Sequence, residues 1–393
     1  MTQSLGVRGR FWDGREFRSG WLHWREGRVA ESGFGEPPGE FRGQLQDLGD
    51  CRLVPGLVDT LVHGFAGVDA GEEPDLEALQ HFSFELARSG VTTALAGFYP
   101  TPLTRLRRVV PVWNRFRETV DRGFRGCRIP GWHMEGPFIH PEMRGALPFQ
   151  AITPPSRQAA EALVQACGGW LRLSTFAPEL EGMEEAAAVL FQHQVVPSIG
   201  HSKAGFDHCR RLAAGGPVAQ THLGNRILPL AAREPGPQGF AMAGGTQWVG
   251  VIPDGVHVRT ETLKLWSDHP VLGPRLMYQS DALSHAGLPA QKFLAGGQWL
   301  HRDGAVARDA DGGLGGGLDS LWTSLSWRLS EGSLSWSQVL QGACFTPGNL
   351  VGDCGTLEVG MPADFLAVED DLSLAGVWLG GRPVPRAGGP ARA

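Results

Sequence analysis

The sequence predicts an α/β fold, a (β/α)8 TIM-like barrel with a small β-sandwich domain built from both termini. Three observations carry that expectation: eight short apolar runs through the middle of the chain, helix-period apolar stripes between them, and period-two alternation at the two ends. At 393 residues the chain is long enough for one large barrel and a smaller satellite.

Residues 1–54 alternate around Trp12, Phe17, Trp21, Leu22, Trp24 and Val29 between Gly-rich turns, which reads as strands. The eight runs follow: Leu53–Val62, Val91–Phe98, Arg128–Met134, Leu171–Phe176, Val195–Ile199, Val218–Leu223, Trp248–Ile252 and Leu276–Gln279. After the first, Leu76, Leu79, Phe82 and Leu86 repeat at helical spacing, and Gly90 stands where such a helix would end. Helical patterns also start near Leu103, Glu181, Ser202, Thr260, Ser320 and Ser335, with Pro111 expected to break or kink the second helix. Gly312–Gly317 reads either as linker or as backbone that approaches a ligand closely. From 355 onward the alternation returns with Leu357, Val359, Phe365, Leu366, Val368, Val377 and Leu379. The expected division is 1–54 and 351–393 for the two parts of the small domain, and 55–350 for the barrel.

Composition narrows the function. Lys and Arg number 35 against 41 Asp and Glu, a net charge of −6, which gives no electrostatic basis for binding nucleic acid or an anionic membrane. A small-molecule partner is expected instead. No uncharged apolar stretch approaches the ~18 residues of a membrane span, and Met1–Arg8 lacks an apolar export core, so a cytoplasmic location is expected. The six cysteines, Cys51, Cys127, Cys167, Cys209, Cys344 and Cys354, include no C-x-x-C pair and read as reduced thiols. Any metal must then be held by histidine and carboxylate.

Catalytic groups of a (β/α)8 barrel come from the C-terminal ends of its strands, because those loops converge on one mouth. Metal-capable residues fall there repeatedly: His63 after run one, Glu135 after run three and His201 after run five. His222 lies near the end of run six, Asp254 and His257 follow run seven, and Asp281 follows run eight. A lone histidine is more often a structural hydrogen-bonding group, but two imidazoles and a carboxylate around an open position suit a catalytic divalent ion. Asp281 is then the candidate acid/base. His23, His81, His193, His208, His269 and His301 read as structural or solvated; His133, His140 and His285 stay ambiguous, with His133 and Glu135 sharing one face of an extended run.

Taken in order, these residues resemble the amidohydrolase superfamily and, within it, the N-acetylglucosamine-6-phosphate deacetylase family. The resemblance rests on Pro55-Gly56-Leu57-Val58-Asp59, His133-Met134-Glu135-Gly136-Pro137-Phe138, Gly200-His201-Ser202, Thr221-His222-Leu223-Gly224-Asn225, Asp254-Gly255-Val256-His257, Ser280-Asp281-Ala282 and Gly360-Met361-Pro362-Ala363-Asp364. It implies Glu135, His201 and His222 as ligands of one divalent ion per subunit, zinc foremost and iron, cobalt or manganese as substitutes, with Asp281 as acid/base. It further implies that Asn225, the backbone at Arg226, Arg233 from across a homodimer, and His257 meet an amino-sugar phosphate. Ala146, Leu314, Gly315 and Gly316 fall at further substrate contacts. For Arg233 alone, a surface salt bridge to Glu234 is the plainer alternative.

Three positions depart from the pattern. Leu61-Val62-His63 stands where relatives carry H-x-H, so a second metal lacks its first ligand, one ion is expected, and His63 is only a possible addition. The family's K-G-A-H is Arg144-Gly145-Ala146-Leu147, and Gly224 replaces a bulky aromatic. The resemblance implies hydrolysis of N-acetylglucosamine 6-phosphate to glucosamine 6-phosphate and acetate; the last two departures leave another N-acyl or cyclic amide hydrolase of the superfamily as the alternative.

Overall fold

The computed structural model describes residues 5–41 and 44–385. Met1–Ser4 of the segment read for an export signal, and 386–393 of the C-terminal segment, lie outside the described residues.

Eight strands form one parallel sheet in sequence order: β1 (Leu57–Val62), β2 (Val91–Phe98), β3 (Arg128–Met134), β4 (Leu171–Phe176), β5 (Val196–Ile199), β6 (Ala219–Gln220), β7 (Trp248–Val251) and β8 (Leu276–Tyr278). The ring closes where Val62 and Ala282 form a parallel bridge and the Asp281 N–H donates to the Leu61 carbonyl at 3.0 Å. Closure therefore falls at Asp281 itself. Every residue of β1 and β2 is buried, as expected for parallel strands covered on both faces, and that is why they read as largely apolar runs, interrupted by Asp59, Thr60, Thr92 and Thr93.

Helices α1 (Leu76–Arg88), α2 (Leu103–Asp121), α3 (Arg157–Ala166), α4 (Met183–Gln192), α5 (Phe206–Ala213), α6 (Gly236–Met242), α7 (Thr260–Ser267) and α8 (Leu321–Ser330) follow their strands one for one, completing the barrel. In α1 the stripe buries Leu79, Phe82 and Leu86, each contributing roughly 1.5–3 kcal/mol. Asp75 caps its start by accepting the Ala78 N–H at 2.8 Å, and Gly90 at φ +99° ends it. The break expected at Pro111 does not occur. Helix α2 runs through it, anchored by Leu106, Val109, Trp113 and Phe116, and this packing outweighs one missing N–H. Helices α3 and α6 are additions to the sequence reading.

Outside β3, Trp132 stacks on Trp170 (centroids 5.7 Å apart) and on Phe98 (4.3 Å), and Trp113 meets both indoles edge-on. This cluster backs the strand that ends at Glu135.

Both termini build one seven-stranded sheet in the order 382–383, 374–379, 365–368, 45–55, 6–12, 17–25, 28–34. It curls into a sandwich-like layer: the Val29 N–H donates to the Met361 carbonyl at 2.8 Å, and Trp24 reaches Phe365 across three intervening strand pairings. The run Leu53–Val62 is split at Gly56, its first part joining this sheet and its second the barrel. A Cβ at Gly56 would sit 2.1 Å from the Thr92 hydroxyl oxygen, so the crossing point admits only glycine without rearrangement. The closing Asp364 locks sheet to barrel, pairing with Arg128 at the start of β3 (2.8 Å) and accepting the Gly380 N–H (2.7 Å).

Residues 292–317 form a four-stranded antiparallel insert between β8 and α8. Gly312–Gly317 is thus not linker; Leu314–Gly317 is its last strand.

Candidate active site

Glu135 and His63 are the first residues beyond β3 and β1, and His201 and His222 lie two beyond β5 and β6. His201 (φ +50°), His222 (φ +29°) and Asp281 (φ +49°) all adopt the left-handed region that non-glycine residues avoid. Such conformations cost about 1–3 kcal/mol each and cluster where a side chain must be aimed. Here they turn three strand ends into one mouth.

Nε2 of His201 and Nε2 of His222 each lie 2.8 Å from Oε1 of Glu135 and 3.2 Å from one another. All three residues are buried. The Met143 carbonyl 2.8 Å from Nδ1 of His201 can only accept, so Nδ1 carries a proton and Nε2 is the nitrogen turned toward Glu135 and His222. In its neutral form such a ring offers the Nε2 lone pair to a metal. Donors ~2.0–2.1 Å from a tetrahedral zinc are about 3.3–3.4 Å apart, so the observed spacing accepts such an ion with a small outward shift. The donor set, two imidazole nitrogens and a carboxylate oxygen converging in a buried site, fits a divalent metal.

Burial opposes charge on Glu135, yet the His201, His222 and His63 imidazoles hold its carboxyl well below the usual carboxylate range. Nε2 of His63 lies 3.1 Å from Glu135 and 3.3 Å from Asp281. His63, Glu135 and Asp281 thus form a second cluster sharing Glu135 with the first. The structure also stacks His63 flat on Tyr99, with centroids 4.2 Å apart.

His257 is held by Asp254 through Nδ1 (2.6 Å), and its Nε2 meets the Gly315 carbonyl (2.7 Å). Both partners are acceptors, so both ring nitrogens donate and the imidazolium is the form that satisfies them. Burial disfavours that charge, but Asp254 raises the His257 pKa above its ordinary value.

The site opens into a pocket of about 430 Å³. Its walls bring together His63, Glu135, His201, His222, Asp281 and His257 with Ala146, Asn225, Arg226, Leu314, Gly315 and Gly316. Arg233 is not among them. It is exposed, and its alternative partner Glu234 instead accepts the Phe206 and Gly236 N–H groups. Leu147 also lines the pocket, where the family pattern expects an imidazole. At Gly224 a Cβ would lie 2.8 Å from the Trp266 ring, so here α7 supplies the neighbouring aromatic bulk.

The ambiguous histidines separate cleanly. His133 points into the barrel floor, donating through Nδ1 to the Thr60 carbonyl and accepting from the Thr175 hydroxyl, both at 2.8 Å; burial pushes its pKa down to about 4. His140 accepts the Glu142 N–H and His285 stacks on Phe293; neither lines the pocket. Sequence reasoning missed Tyr99, Arg144, Gln298 and Arg308 in the walls. Tyr99 was findable by the strand-end rule, since it directly follows β2. Gln298 and Arg308 ride on the insert, whose hairpins are signalled by Gly296-Gly297 and Asp303-Gly304.

No protein-family model matches the chain. Among named relatives, the N-acetylgalactosamine-6-phosphate deacetylase of Shewanella sp. (strain ANA-3) is 30% identical over 339 residues, 84% of this chain and 82% of that one. The N-acetylglucosamine-6-phosphate deacetylase of Bos taurus is 28% identical, covering 98% of this chain and 92% of that one. Among solved structures, a point mutant of N-acetyl-D-glucosamine-6-phosphate deacetylase from Mycobacterium smegmatis, in complex with N-acetyl-D-glucosamine-6-phosphate, superposes with a TM-score of 0.87 at 27% identity, covering 97% of this chain and 99% of that one. With its barrel, its strand-end residues and its near-full-length relatives in agreement, the chain is a hydrolase belonging to the N-acetylglucosamine-6-phosphate deacetylase family of the amidohydrolase superfamily.

Proposed function

We propose that this enzyme is a metal-dependent deacetylase that hydrolyses N-acetylglucosamine 6-phosphate to glucosamine 6-phosphate and acetate. The observation that carries the reading is the convergence of Glu135, His201 and His222 within 2.8–3.2 Å beside Asp281 on the floor of a pocket. The relatives' names and the sugar-phosphate complex of the mycobacterial protein support the substrate.

Glu135, His201 and His222 would hold one divalent ion, zinc foremost. That ion supplies Lewis-acid polarisation of the amide oxygen and a water whose pKa falls toward ~7. Asp281 takes the proton of the attacking water as its oxygen bonds to the acetyl carbon, then delivers that proton to the nitrogen as the C–N bond breaks. The Asp281 backbone, tied to Leu61, fixes where this carboxylate stands. His257, held in register by Asp254, positions the sugar, and the Leu314–Gly316 backbone forms the wall beside it. The reading extends to a homodimer working in the cytoplasm.

Purified protein loaded with zinc should release acetate from N-acetylglucosamine 6-phosphate, and Asp281→Asn should lower kcat by roughly 10²–10⁴-fold while leaving bound metal in place. Absence of acetate from the wild type overturns the substrate; full activity in the variant overturns the mechanism. The Shewanella relative supports a second reading, in which the C4 epimer N-acetylgalactosamine 6-phosphate is the preferred sugar. Leu147 and Gly224, the two departures from the family pattern, both line the pocket, so both epimers belong in the assay.

A further inference from the structure

Arg328, on α8, has a fully buried side chain. A charge taken out of water is costly unless its donors are met, so the partners it takes define its role. Nε donates to the Pro253 carbonyl at 2.8 Å. Nη1 donates to the Thr260 hydroxyl at 2.6 Å and to Glu331, whose carboxylate is the counter-charge. Nη2 has no hydrogen-bond partner among the described residues. It is pressed against Gly255 instead, where a Cβ would lie 2.5 Å from Nη2 and the backbone stands at φ +83°. The Trp327 ring lies over the guanidinium, its centroid 4.1 Å from Cζ.

Pro253, Gly255 and Thr260 belong to one stretch of chain, the connection from β7 to α7. Pro253 lies two residues beyond the strand, and Thr260 is the first residue of the helix. Between them Asp254 accepts the Val256 and His257 N–H groups, both at 2.9 Å, and holds the His257 ring. The loop thus has an internal brace, Asp254, and an external clamp, Arg328. His257 lines the pocket and Arg328 does not, so Arg328 can reach a substrate only through His257. A planar guanidinium fixes two acceptors at a set spacing, which the single ammonium of a lysine cannot reproduce. A fork turned to reach both loop ends leaves Nη2 facing Gly255, and that unmet donor, a cost to stability, marks a group placed for its geometry.

We propose that Arg328 is a positioning residue for substrate binding: it clamps the β7–α7 loop at Pro253 and Thr260 so that His257 meets the sugar in a fixed orientation. This deepens the proposed deacetylase reading and rests on it for the identity of the substrate; the clamp itself rests on the geometry. Pro253, Thr260, Arg328 and Glu331 neither line the pocket nor belong to the metal-capable clusters, so weakening the clamp should leave metal content at the wild-type level.

The test is a double-mutant cycle on the zinc-loaded protein. Arg328→Lys should lower kcat/KM for acetate release from N-acetylglucosamine 6-phosphate by about 10- to 100-fold, chiefly by raising KM, with metal content unchanged. In a His257→Asn background the same substitution should cost less than about 2-fold, because the side chain it serves is gone. Equal fold losses in the two backgrounds overturn the proposal, since a general packing defect acts independently of His257. Thr260→Val should give a smaller rise in KM, and Thr260→Ser, which keeps the hydroxyl, should recover it. If Arg328→Lys does not fold, this pair decides, and a wild-type KM in Thr260→Val overturns the clamp. Should the wild type fail to cleave the sugar phosphate, the deacetylase reading fails separately. Amide hydrogen exchange then still decides the clamp in either variant: faster exchange confined to 253–260 supports it, and unchanged exchange there, or faster exchange throughout the barrel, overturns it.

Discussion

Nε2 of His257 donates to the carbonyl of Gly315 at 2.7 Å, joining the loop after β7 to the last strand of the insert. The contact ties the glycine-rich wall of the pocket to the loop that carries His257. Because Asp254 neutralises the imidazolium from the other side, the wall's position depends on a buried ion pair.

The pair has a pH signature. Asp254 raises the pKa of His257, and despite the opposing effect of burial, His257 and two backbone N–H groups lower that of Asp254. A raised histidine contributes stability fully below its unfolded pKa and loses it as pH rises through the folded value; a lowered carboxylate contributes above its unfolded pKa and loses it as pH falls. The Tm gap between wild type and Asp254→Asn should therefore be widest between about pH 4 and 6.5 and narrow above that window. A gap that stays constant from about pH 5 to 9 contradicts the assignment.

Asp59 gives a second titration. Burial pushes its carboxyl up to about 7, although it accepts the Ser280 and Leu61 N–H groups. The folded state therefore holds this proton over a range in which the unfolded chain has released it, and stability falls as pH rises from about 4 to about 7. Asp59→Asn, which cannot ionise, should gain on wild type across that interval in denaturant midpoint. An unchanged difference at both ends of it refutes the prediction.

Metal loading should stabilise the protein, since an ion held by Glu135, His201 and His222 binds the folded chain in preference to the unfolded one. With free zinc at ~100 times its Kd the gain is about 2.7 kcal/mol, seen as a higher Tm that chelation reverses. Glu135→Ala should abolish both the shift and the bound metal. Metal analysis should find one equivalent per chain; two would show that the His63, Glu135 and Asp281 cluster also loads.

Trp132→Ala removes the centre of the aromatic cluster behind β3 and should cost about 3–5 kcal/mol in urea unfolding. Because the same strand carries Glu135, metal affinity should fall with it. A variant of unchanged stability would show that the cluster does not support the strand.

The sequence by itself determined the barrel and the roster of its mouth. Val91–Phe98, Arg128–Met134 and Leu171–Phe176 are strands residue for residue, because a parallel strand buried on both faces must be apolar nearly throughout. Glu135, His201, His222 and Asp281 stood out for an equally local reason, a metal-capable side chain just after each run. Tertiary structure alone decided how they meet. The His201 tautomer is set by a carbonyl 58 positions away, and the barrel closes at Asp281 through a pairing with Leu61. The insert that brings Gln298 and Arg308 to the pocket went unread, because its short, half-exposed strands leave a weak pattern. Whether an arginine meets a carboxylate, a carbonyl or solvent depends on loops far apart in sequence. Arg226 thus approaches the Leu314 carbonyl, 88 positions on, and Arg233 lies outside its own pocket.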